Sequence, residues 1–571
     1  MLAALSTTCL SALPVVASAD CLVGPNSAAC DAATPNPYTA TIGNGRDTVS
    51  PYTVTLGPGA QIRTTDANAI SLHIDSSIEL APGASVQTIT TVPDGGGGLY
   101  GVGNNAIELD DRGRILIDPG ASVTASGVGP SSAAIHPIDG GSVITNEGTI
   151  NGGPTSAIFF ENLNATSASP RNTIQNFGVI NAPAGGADPV FSGQAVGSNG
   201  AFGIDFVNGP NAFVNGNLDL QGGDDNVTLF AGSRITGDLN GGGGTNTLTL
   251  DGAAGTTDTR TGSLANFQTL TKAGAGIWTL TDALADNGGA TPLAVTVAGG
   301  TLVLTGDNPA FNGTMLVNGG GTLQLGNGGT TGNLAADIAD NGTVAFDRSD
   351  TVTFANVISG SGALAQIGPG TTILTGSNAY TGGTVISAGT LQIGAGGTAG
   401  SIGGDVTDNG ILAFDRSDAV TFPGLISGTG GLNQIGTGTL ILTADNTYTG
   451  TTTIGAGVLQ IGNGGATGSV VGNIVDNAAL VLDRSGTLTL PGVISGPGSV
   501  DQIGPGTTVL TGNNTYTGTT TITAGVLQIG NGGATGAVLG NIVDNTALVL
   551  DRSGTLTLPG VISGPGSLSQ I

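Results

Sequence analysis

The sequence predicts an all-β fold, an elongated parallel β-helix with about 23 residues in each turn. The first observation is a long repeat, because the tripeptide Asp-Arg-Ser recurs at one fixed interval, the 68-residue period of this chain. Its copies begin at Asp347, Asp415, Asp483 and Asp551. A fixed long period is typical of one supersecondary unit stacked on copies of itself. The apolar runs are short and bounded by Gly, Asn, Asp and Pro, which favours strands and turns over helices.

A second observation sets the turn length. An extra motif is inserted between Leu280 and Leu304, and each of these leucines is followed by threonine and then by a turn. Turns of about 23 residues account for both the insertion and the period, because three of them make about 68 residues. Three short strands in each turn would wind around an apolar core.

Alternating residues predict which side chains face that core. Leu488 and Leu490 alternate with threonines, as do Leu556 and Leu558 one period later. Because successive side chains of a strand point to opposite faces, we expect these leucines to be buried and the threonines exposed.

The recurring Asp-Arg-Ser has two interpretations. Three turns would advance the coil by roughly 14 Å, so equivalent side chains of successive repeats lie too far apart to form a ladder. We therefore interpret each copy as a turn device, in which the Asp carboxylate accepts hydrogen bonds from local backbone N–H groups. The alternative is a distributed array of ligand-binding sites.

The charge balance excludes several partners. The chain has 39 acidic and 12 basic residues, a formal net charge of −27, and Lys272 as its one lysine. Such a surface repels phosphate backbones and anionic lipid head groups, so no nucleic acid is expected as a partner. No run of about 18 apolar residues exists, so a transmembrane helix is not expected either.

Residues 1–19 resemble a secretory signal peptide with cleavage between Ala19 and Asp20, although no Lys or Arg precedes the apolar stretch. The alternative is an ordinary first strand. If the segment is removed, Cys21 and Cys30 remain, and an even pair in an exported chain is a candidate disulfide.

Composition and period divide the remaining chain into two domains. Residues 20–250 lack the 68-residue period, and we interpret them as an irregular N-terminal β-helix with a possible capping segment around Cys21–Cys30. Residues 251–571 form the repeat β-helix. Its full units are 366–433, 434–501 and 502–569, with diverged units upstream.

The repeat also carries a family resemblance. The segment LTGNNTYTGTTTITAGVLQIG (510–530) resembles the autotransporter-associated β-strand repeat, and 442–462 and 374–394 match it equally well. A diverged copy, 304–326, has Phe311 in place of the tyrosine. The resemblance implies an exported, right-handed β-helical passenger on a Gram-negative cell surface. Its expected role is a structural stalk or adhesin, and its expected partner is a surface ligand or a host or matrix glycan or protein.

The resemblance further implies a C-terminal β-barrel translocator. Alternating membrane-spanning strands with aromatic girdles would mark such a barrel, and we expect it outside this chain. The segment 554–571 reads as an ordinary turn of the coil. Because unpaired strand edges favour pairing with other chains, self-association through an open C-terminal edge is expected.

A glycan-active lyase or hydrolase is the alternative function, because such enzymes use paired carboxylates. The candidates are Asp110 and Asp111, with Arg112 and Arg114 nearby, and the doublet Asp224–Asp225. Adjacent strand residues point to opposite faces, so neither doublet by itself supplies two convergent carboxylates. We therefore predict no catalytic residues and a non-enzymatic protein.

Other chemistry has little support in the sequence. His73 and His136 are the two histidines, and a Ser-His-Asp triad would require one of them. His136 has Ser131, Ser132 and Asp139 nearby in sequence, and we interpret it as a surface histidine.

The segment GGGGTNTLT (241–249) resembles a calcium-binding nonapeptide, except that Asn246 replaces the aspartate. A lone copy of this kind is a weak calcium site, because Ca²⁺ prefers several charged oxygen ligands. We interpret the segment as a glycine turn and predict neither a metal site nor a cofactor.

Overall fold

The computed structural model describes residues 21–32, 36–43, 50–91, 104–127, 132–163, 169–183, 193–284 and 292–571. Over these ranges the chain forms strands, turns and bends, without a helix. It divides into two compact units, 1–247 and 248–571. Each unit is a parallel β-solenoid, and the strands in the described ranges make about 23 turns of roughly 21–23 residues. The predicted fold is therefore confirmed, while its right-handed sense stays a prediction from the resemblance.

The first unit begins with an antiparallel hairpin that precedes the parallel coil. Its strands are β1 (Cys21–Val23) and β2 (Ser27–Cys30), with Cys21 opposite Cys30. The second hairpin strand pairs in parallel with the first strand of the coil. The hairpin thus occupies the position at which the sequence suggested a cap.

Seven turns follow, and each contributes one strand to each of three faces. The strands are β3 (Thr53–Leu56), β4 (Gln61–Thr65), β5 (Ile70–Leu72), β6 (Ser77–Leu80), β7 (Ser85–Thr90), β8 (Ile107–Leu109), β9 (Arg114–Ile117), β10 (Ser122–Gly127), β11 (Ala133–Pro137), β12 (Val143–Asn146), β13 (Thr149–Asn151), β14 (Ser156–Phe160), β15 (Asn172–Asn176), β16 (Val179–Asn181), β17 (Gln194–Ser198), β18 (Ile204–Asn208), β19 (Phe213–Asn215), β20 (Asn217–Asp219), β21 (Asn226–Phe230), β22 (Arg234–Ile235) and β23 (Leu239–Asn240). The first face is β3-β6-β9-β12-β15-β18-β21, and the other two follow in the same way.

Apolar and amide side chains fill the interior of this coil, and they alternate along each strand with side chains that point outwards. On the first face, the inward column contains Ile78, Ile115 and Ile144, which pair in register and are at most 2% exposed. Further along the same face, a buried asparagine ladder lies at the ends of β12, β15 and β18. Asn146 donates to Asn176 at 2.7 Å, and Asn176 donates to Asn208 at 2.8 Å. Hydrogen bonding between the amides satisfies most of the polar groups that the ladder buries.

The second unit contains the repeats, and most of its strands have two to four residues. They are β24 (Thr247–Asp251), β25 (Thr257–Arg260), β26 (Leu264–Ala265), β27 (Thr269–Lys272), β28 (Ile277–Leu280), β29 (Ala294–Val297), β30 (Gly300–Leu304), β31 (Thr314–Val317), β32 (Gly321–Gly329), β33 (Ile338–Asp340), β34 (Thr343–Arg348), β35 (Thr351–Phe354), β36 (Ile358–Gly360), β37 (Ala363–Gln366), β38 (Thr371–Leu374), β39 (Ala379–Tyr380), β40 (Thr384–Ile386), β41 (Thr390–Ile393), β42 (Val406–Asp408), β43 (Ile411–Phe414), β44 (Ala419–Phe422), β45 (Ile426–Ser427), β46 (Gly431–Gln434), β47 (Thr439–Leu442), β48 (Thr452–Ile454), β49 (Val458–Ile461), β50 (Ile474–Asp476), β51 (Ala479–Leu482), β52 (Thr487–Leu490), β53 (Ile494–Ser495), β54 (Ser499–Gln502), β55 (Thr507–Leu510), β56 (Thr520–Ile522), β57 (Val526–Ile529), β58 (Ile542–Asp544), β59 (Ala547–Leu550), β60 (Ile562–Ser563) and β61 (Ser567–Gln570).

The register of these strands shows how the repeat relates to the turn. Thr351 pairs with Thr371, Thr371 with Thr390, and Thr390 with Ile411, so three turns lead from Thr351 to Ile411. The residue equivalent to Thr351 in the next repeat is Ala419, which lies further along the chain than Ile411. It belongs to β44, which starts a new sheet instead of extending the sheet of β35. One repeat therefore makes about three and one-third turns.

This geometry corrects the expectation of three turns in each repeat. The equivalent strands β35, β44 and β52 each start a different sheet. Equivalent residues of successive repeats therefore lie on different faces, rotated by about a third of a turn and roughly 16 Å apart along the coil. The turn of about 23 residues holds for the chain as a whole, but turns within the repeats are shorter. The repeat length is consequently not a whole number of turns.

The predicted alternation holds within the coil. Leu488 and Leu490 are 1% and 2% exposed, and the threonines on either side of Leu488 are exposed. Leu556 and Leu558 are only half-buried, which corrects the prediction that they are core residues. They lie in the last turn of this chain, which has a neighbouring turn on one side only.

Candidate functional site: the polar network of the repeat

A glycine-rich loop of seven residues recurs in every repeat, and an arginine of the following turn holds it. The loops are 326–332, 394–400, 462–468 and 530–536. Arg484 Nη1 donates to the Gly468 carbonyl at 2.9 Å, and Arg552 Nη1 donates to the Gly536 carbonyl at 2.7 Å. Arg416 makes the same contact with the Gly400 carbonyl. In these three repeats, the arginine of Asp-Arg-Ser thus holds the loop in place through a hydrogen bond to the carbonyl of its last glycine.

The aspartate of the same tripeptide joins a recurring glutamine to this loop. Gln460 Nε2 donates to the Gly462 carbonyl at 3.0 Å and to Asp483 Oδ2 at 3.4 Å. The Asp483 carbonyl accepts the backbone N–H of Gly464 at 2.9 Å. The tripeptide is therefore a structural device as predicted. Its carboxylate, however, accepts a hydrogen bond from a side-chain amide of the preceding turn and not from a local backbone N–H group. The local sequence around Asp483 does not reveal this partner, because Gln460 belongs to another turn.

A buried asparagine links three consecutive turns. Asn514 is 1% exposed, and its Oδ1 accepts the backbone N–H of Ile494 at 2.8 Å. Its Nδ2 donates to the carbonyls of Gly512 at 3.1 Å and Ala537 at 3.0 Å. Asn446 makes the corresponding contacts one repeat earlier. The asparagine of the Asn-x-Tyr motif therefore satisfies backbone groups that the coil would otherwise bury without a partner.

The tyrosine of that motif is also buried. The Tyr448 hydroxyl lies 2.6 Å from Thr452 Oγ1, and burial raises the pKa of Tyr448. A fully buried carboxylate, Asp408, faces it. Asp408 Oδ1 accepts the backbone N–H of Gly410 at 3.0 Å, while Oδ2 has no hydrogen-bond partner. Burial raises the pKa of Asp408 to about 6.

The same carboxylate recurs through the repeats. Asp340 and Asp476 are fully buried, each has an unpartnered Oδ2, and burial raises the pKa of each to about 6. The period of these aspartates is visible in the sequence, but their burial is not.

Lys272 has an unusual position for a lysine. It is fully buried, and its Nζ donates to the carbonyls of Ala273 at 2.5 Å, Gly274 at 3.2 Å and Gly299 at 3.1 Å. Burial lowers the pKa of Lys272. At the matching place in a later turn, Gln366 Nε2 donates to the carbonyl of Gly368 at 2.9 Å. The long side chain that caps a tight glycine turn is thus a lysine at position 272 and a glutamine at position 366.

We expect Lys272→Met to lower the free energy of unfolding by about 1–2 kcal/mol, because it leaves buried carbonyls without a donor. Lys272→Gln is the matched control and is expected to remain within about 0.5 kcal/mol of the parent, since Gln366 performs the same function. Urea denaturation of the two variants measures the difference. Equal stability of the two variants would contradict a capping role for Lys272.

In the first unit, His136 lies between two carboxylates instead of on the surface, which corrects the sequence interpretation. Its Nε2 is 3.3 Å from Glu161, its Nδ1 is 3.8 Å from Glu108, and its side chain is 15% exposed. Burial opposes protonation, but hydrogen bonds and the charges of Glu108 and Glu161 outweigh it and raise the pKa of His136 to about 9. Glu108 has a lowered pKa despite its burial, because His136 binds it.

The neighbours of His136 in sequence do not form a triad with it. Ser132 Oγ lies 3.1 Å from Thr90 Oγ1, and Asp139 accepts the backbone N–H of Leu163 at 2.9 Å. Ser131 lies outside the described residues. The carboxylates that do meet His136 come from the preceding and the following turn, so only the winding of the coil brings them together.

The acidic doublets are likewise divided between different partners. Asp110 is buried and lies 2.6 Å from His73 Nδ1, while Asp111 is half-buried and has a pKa raised by burial. Arg112 forms two hydrogen bonds with Asp75, at 2.7 and 2.9 Å. The two acids therefore do not converge. Arg114 lies apart from them, in a shallow groove on the first face of the coil.

The second doublet closes a glycine turn together with Asn246. Asp225 is fully buried, its Oδ1 accepts the backbone N–H of Ile204 at 2.6 Å, and burial raises its pKa to about 8. Asp224 accepts the backbone N–H of Thr245 at 2.7 Å. Asn246 accepts the backbone N–H of Asp225 at 2.9 Å. These side chains are directed at backbone groups, which supports the interpretation as a turn.

Cys21 and Cys30 form a disulfide with an Sγ–Sγ distance of 1.99 Å across the N-terminal hairpin. Ala19 and Asp20, the predicted cleavage site, lie outside the described residues. Among the residues that the structure describes, no cluster of three or more His, Cys, Asp or Glu side chains could hold a metal ion. In the same ranges, no helix is long and apolar enough to span a membrane.

Comparison with known proteins identifies the repeat. The model of the passenger-associated-transport-repeat family matches residues 270–291, 364–393, 432–461 and 501–529. The chain carries passenger-associated-transport repeats. The resemblance to autotransporter-associated repeats is thereby confirmed. The three later matches end at Ile393, Ile461 and Ile529, directly before the glycine-rich loops.

Two curated proteins share similarity with this chain. The chain is 36% identical over 256 residues to the adhesin BmaC autotransporter of Brucella suis biovar 1 (strain 1330), which covers 41% of this chain and 7% of that protein. It is 30% identical over 340 residues to outer membrane protein A of Rickettsia rickettsii, which covers 53% of this chain and 14% of that protein. The chain thus spans less than a fifth of the length of either relative.

Proposed function

We propose that this chain is a passenger segment exported to the surface of a Gram-negative cell, where it acts as a structural stalk or adhesin. The observation that carries the proposal is the passenger-associated-transport repeat, which matches four segments of the second unit. The names of the two relatives, an autotransporter adhesin and an outer membrane protein, support a location at the cell surface.

The network of the repeat supports a structural or adhesive role over catalysis. The recurring Gln, Asp, Arg, Asn and Tyr side chains bind backbone carbonyls, backbone N–H groups or one another within the coil. Because successive repeats are rotated by about a third of a turn, the same outer loop is presented on three faces in succession. A partner that recognises one repeat can therefore approach the coil from several directions.

The alternative, a glycan-active enzyme, is favoured by one specific observation: Glu108 and Glu161 lie on either side of His136. A glycoside hydrolase, however, needs one carboxyl group whose pKa is raised so that it can donate a proton. His136 instead lowers the pKa of Glu108. The arrangement is better suited to a buried ion-pair network that stabilises the coil.

Surface display and adhesion can be tested together in the native cell. We expect protease added to intact cells to remove an epitope tag placed in the loop 462–468. We also expect in-frame deletion of residues 20–571 to reduce attachment of the cells to host cells or matrix. An epitope that stays protected on intact cells would contradict surface display. The enzymatic alternative would be established if the purified chain cleaved a glycan and the Glu108→Gln variant did not.

A further inference from the structure

The turn between β31 and β32 differs in sequence from its equivalent in the next repeat. Residues 314–322 form a segment that is two residues longer than the equivalent segment, residues 384–390. In the longer segment, Asn318 stands directly before three consecutive glycines. An asparagine followed by glycine is the dipeptide in which the next backbone nitrogen attacks the side-chain amide most readily, because glycine has no side chain to obstruct the approach.

The two groups that would react in this turn are not held by hydrogen bonds. The Gly321 N–H donates to the Asn318 carbonyl at 2.9 Å, and the Asn318 N–H donates to the Val297 carbonyl at 2.9 Å. Among the described residues, however, none accepts a hydrogen bond from the Gly319 N–H, and none is hydrogen-bonded to the Asn318 side chain. Asn318 is half-buried and Gly319 is exposed. The Gly319 nitrogen and the side-chain amide of Asn318 can therefore move towards each other, and water can reach them.

Two Asn-Gly pairs in the glycine-rich loops provide a comparison within the same chain. They are Asn463-Gly464 and Asn531-Gly532, and each is followed by a second glycine, as in the turn at Asn318. The glycine N–H groups donate to the carbonyls of Asp483 at 2.9 Å and Asp551 at 3.0 Å. The local sequence is thus the same, and these pairs differ from the turn at Asn318 in the hydrogen bond on the attacking nitrogen.

In two further Asn-Gly pairs, both reacting groups are held. In Asn341-Gly342, the glycine N–H donates to Asp340 Oδ1 at 2.9 Å. The Asn341 side-chain oxygen accepts the N–H of Ser361 at 3.2 Å and its hydroxyl at 3.1 Å. Asn409-Gly410 makes the corresponding contacts one repeat later. The structure thus orders the pairs by how firmly the amide and the attacking nitrogen are restrained.

We propose that Asn318 is a site of spontaneous isoaspartate formation. The Gly319 nitrogen attacks Asn318 Cγ and forms a bond to it, while the bond between Cγ and Nδ2 breaks. Nδ2 leaves as ammonia and takes the proton of the Gly319 nitrogen. Water then opens the cyclic imide at either carbonyl, which gives aspartate or isoaspartate and adds one carboxylate to the chain. The isoaspartate product belongs to the substrate class of L-isoaspartyl methyltransferases.

The proposal is tested on the purified full chain, incubated in mildly alkaline buffer. Mass spectrometry of chymotryptic peptides measures conversion at each asparagine, and methylation by an L-isoaspartyl methyltransferase identifies isoaspartate. We expect Asn318 to convert about fivefold faster than Asn463 or Asn531, because at those pairs a hydrogen bond on the attacking nitrogen must break first. Asn341 and Asn409 should convert most slowly. Conversion of Asn463 as fast as that of Asn318 would overturn the proposal.

Two controls separate the effect of the fold from that of the local sequence. In the chain unfolded by guanidinium chloride, Asn318 and Asn463 should convert at similar rates, since their neighbours in sequence are alike. A preference for Asn318 that persisted after unfolding would overturn the structural explanation. Gly319→Ala adds a Cβ atom that comes no closer than 3.6 Å to another residue, at the Asn341 carbonyl. This variant should slow conversion of Asn318 and leave Asn463 unchanged, and an unchanged rate at Asn318 would exclude attack by this nitrogen.

Discussion

Asn514→Ala is expected to lower the free energy of unfolding of the surrounding repeat by about 2–4 kcal/mol. The variant removes the acceptor of the buried Ile494 N–H and the donor to the Gly512 and Ala537 carbonyls. Because the turns of a solenoid contact mainly their neighbours, the loss should be local. Hydrogen exchange measured by mass spectrometry should show faster exchange in the strands around Ile494, with distant turns unchanged.

Asn513→Ala is the matched control for this prediction. Asn513 is adjacent and exposed, and its side chain accepts one hydrogen bond, from the Gly536 N–H at 3.1 Å. We expect this variant to lose less than about 1 kcal/mol. If the two variants exchanged at the same rate, the buried asparagine would not be the element that links the turns.

Asp408→Asn is expected to stabilise the repeat at neutral pH by roughly 2–3 kcal/mol, because burial raises the pKa of Asp408 from 3.8 to about 6. Between these two values the folded chain holds a proton that the unfolded chain has released. Stability at this site therefore falls as the pH rises from about 4 to about 6, and stays at its lower level above that range. Asparagine keeps the acceptor for the Gly410 N–H without carrying the charge.

The pH dependence distinguishes this cause from a change in packing. The groups that face Asp408 are the Tyr448 hydroxyl and the backbone around Gly410 and Gly430, and none of them is a cation. We expect the melting temperature of Asp408→Asn to exceed that of the parent at about pH 7.5 and to equal it near pH 4. Asp418→Asn, at an exposed aspartate whose pKa is lowered by Arg416, is the control and should not be stabilised at neutral pH. A gain for Asp408→Asn of equal size at both pH values would contradict the electrostatic explanation.

Local patterns in the sequence determine much of this protein. The alternation around Leu488 and the spacing of glycine turns establish a parallel coil, because strand periodicity and turn chemistry depend on near neighbours. The 68-residue period and the Asn-x-Tyr motif establish the repeat family. Cys21 and Cys30 are also close enough in sequence for their pairing to be predicted.

Only the tertiary structure decided how the turns are stacked. One repeat makes about three and one-third turns. Dividing the repeat length by a whole number of turns therefore gives the wrong turn length for the repeats. The side-chain partners of Asp483 and His136 lie about one turn away in the sequence, so their contacts depend on the length of each turn. Burial is likewise a property of neighbouring turns, which is why the sequence pattern places His136 on the surface.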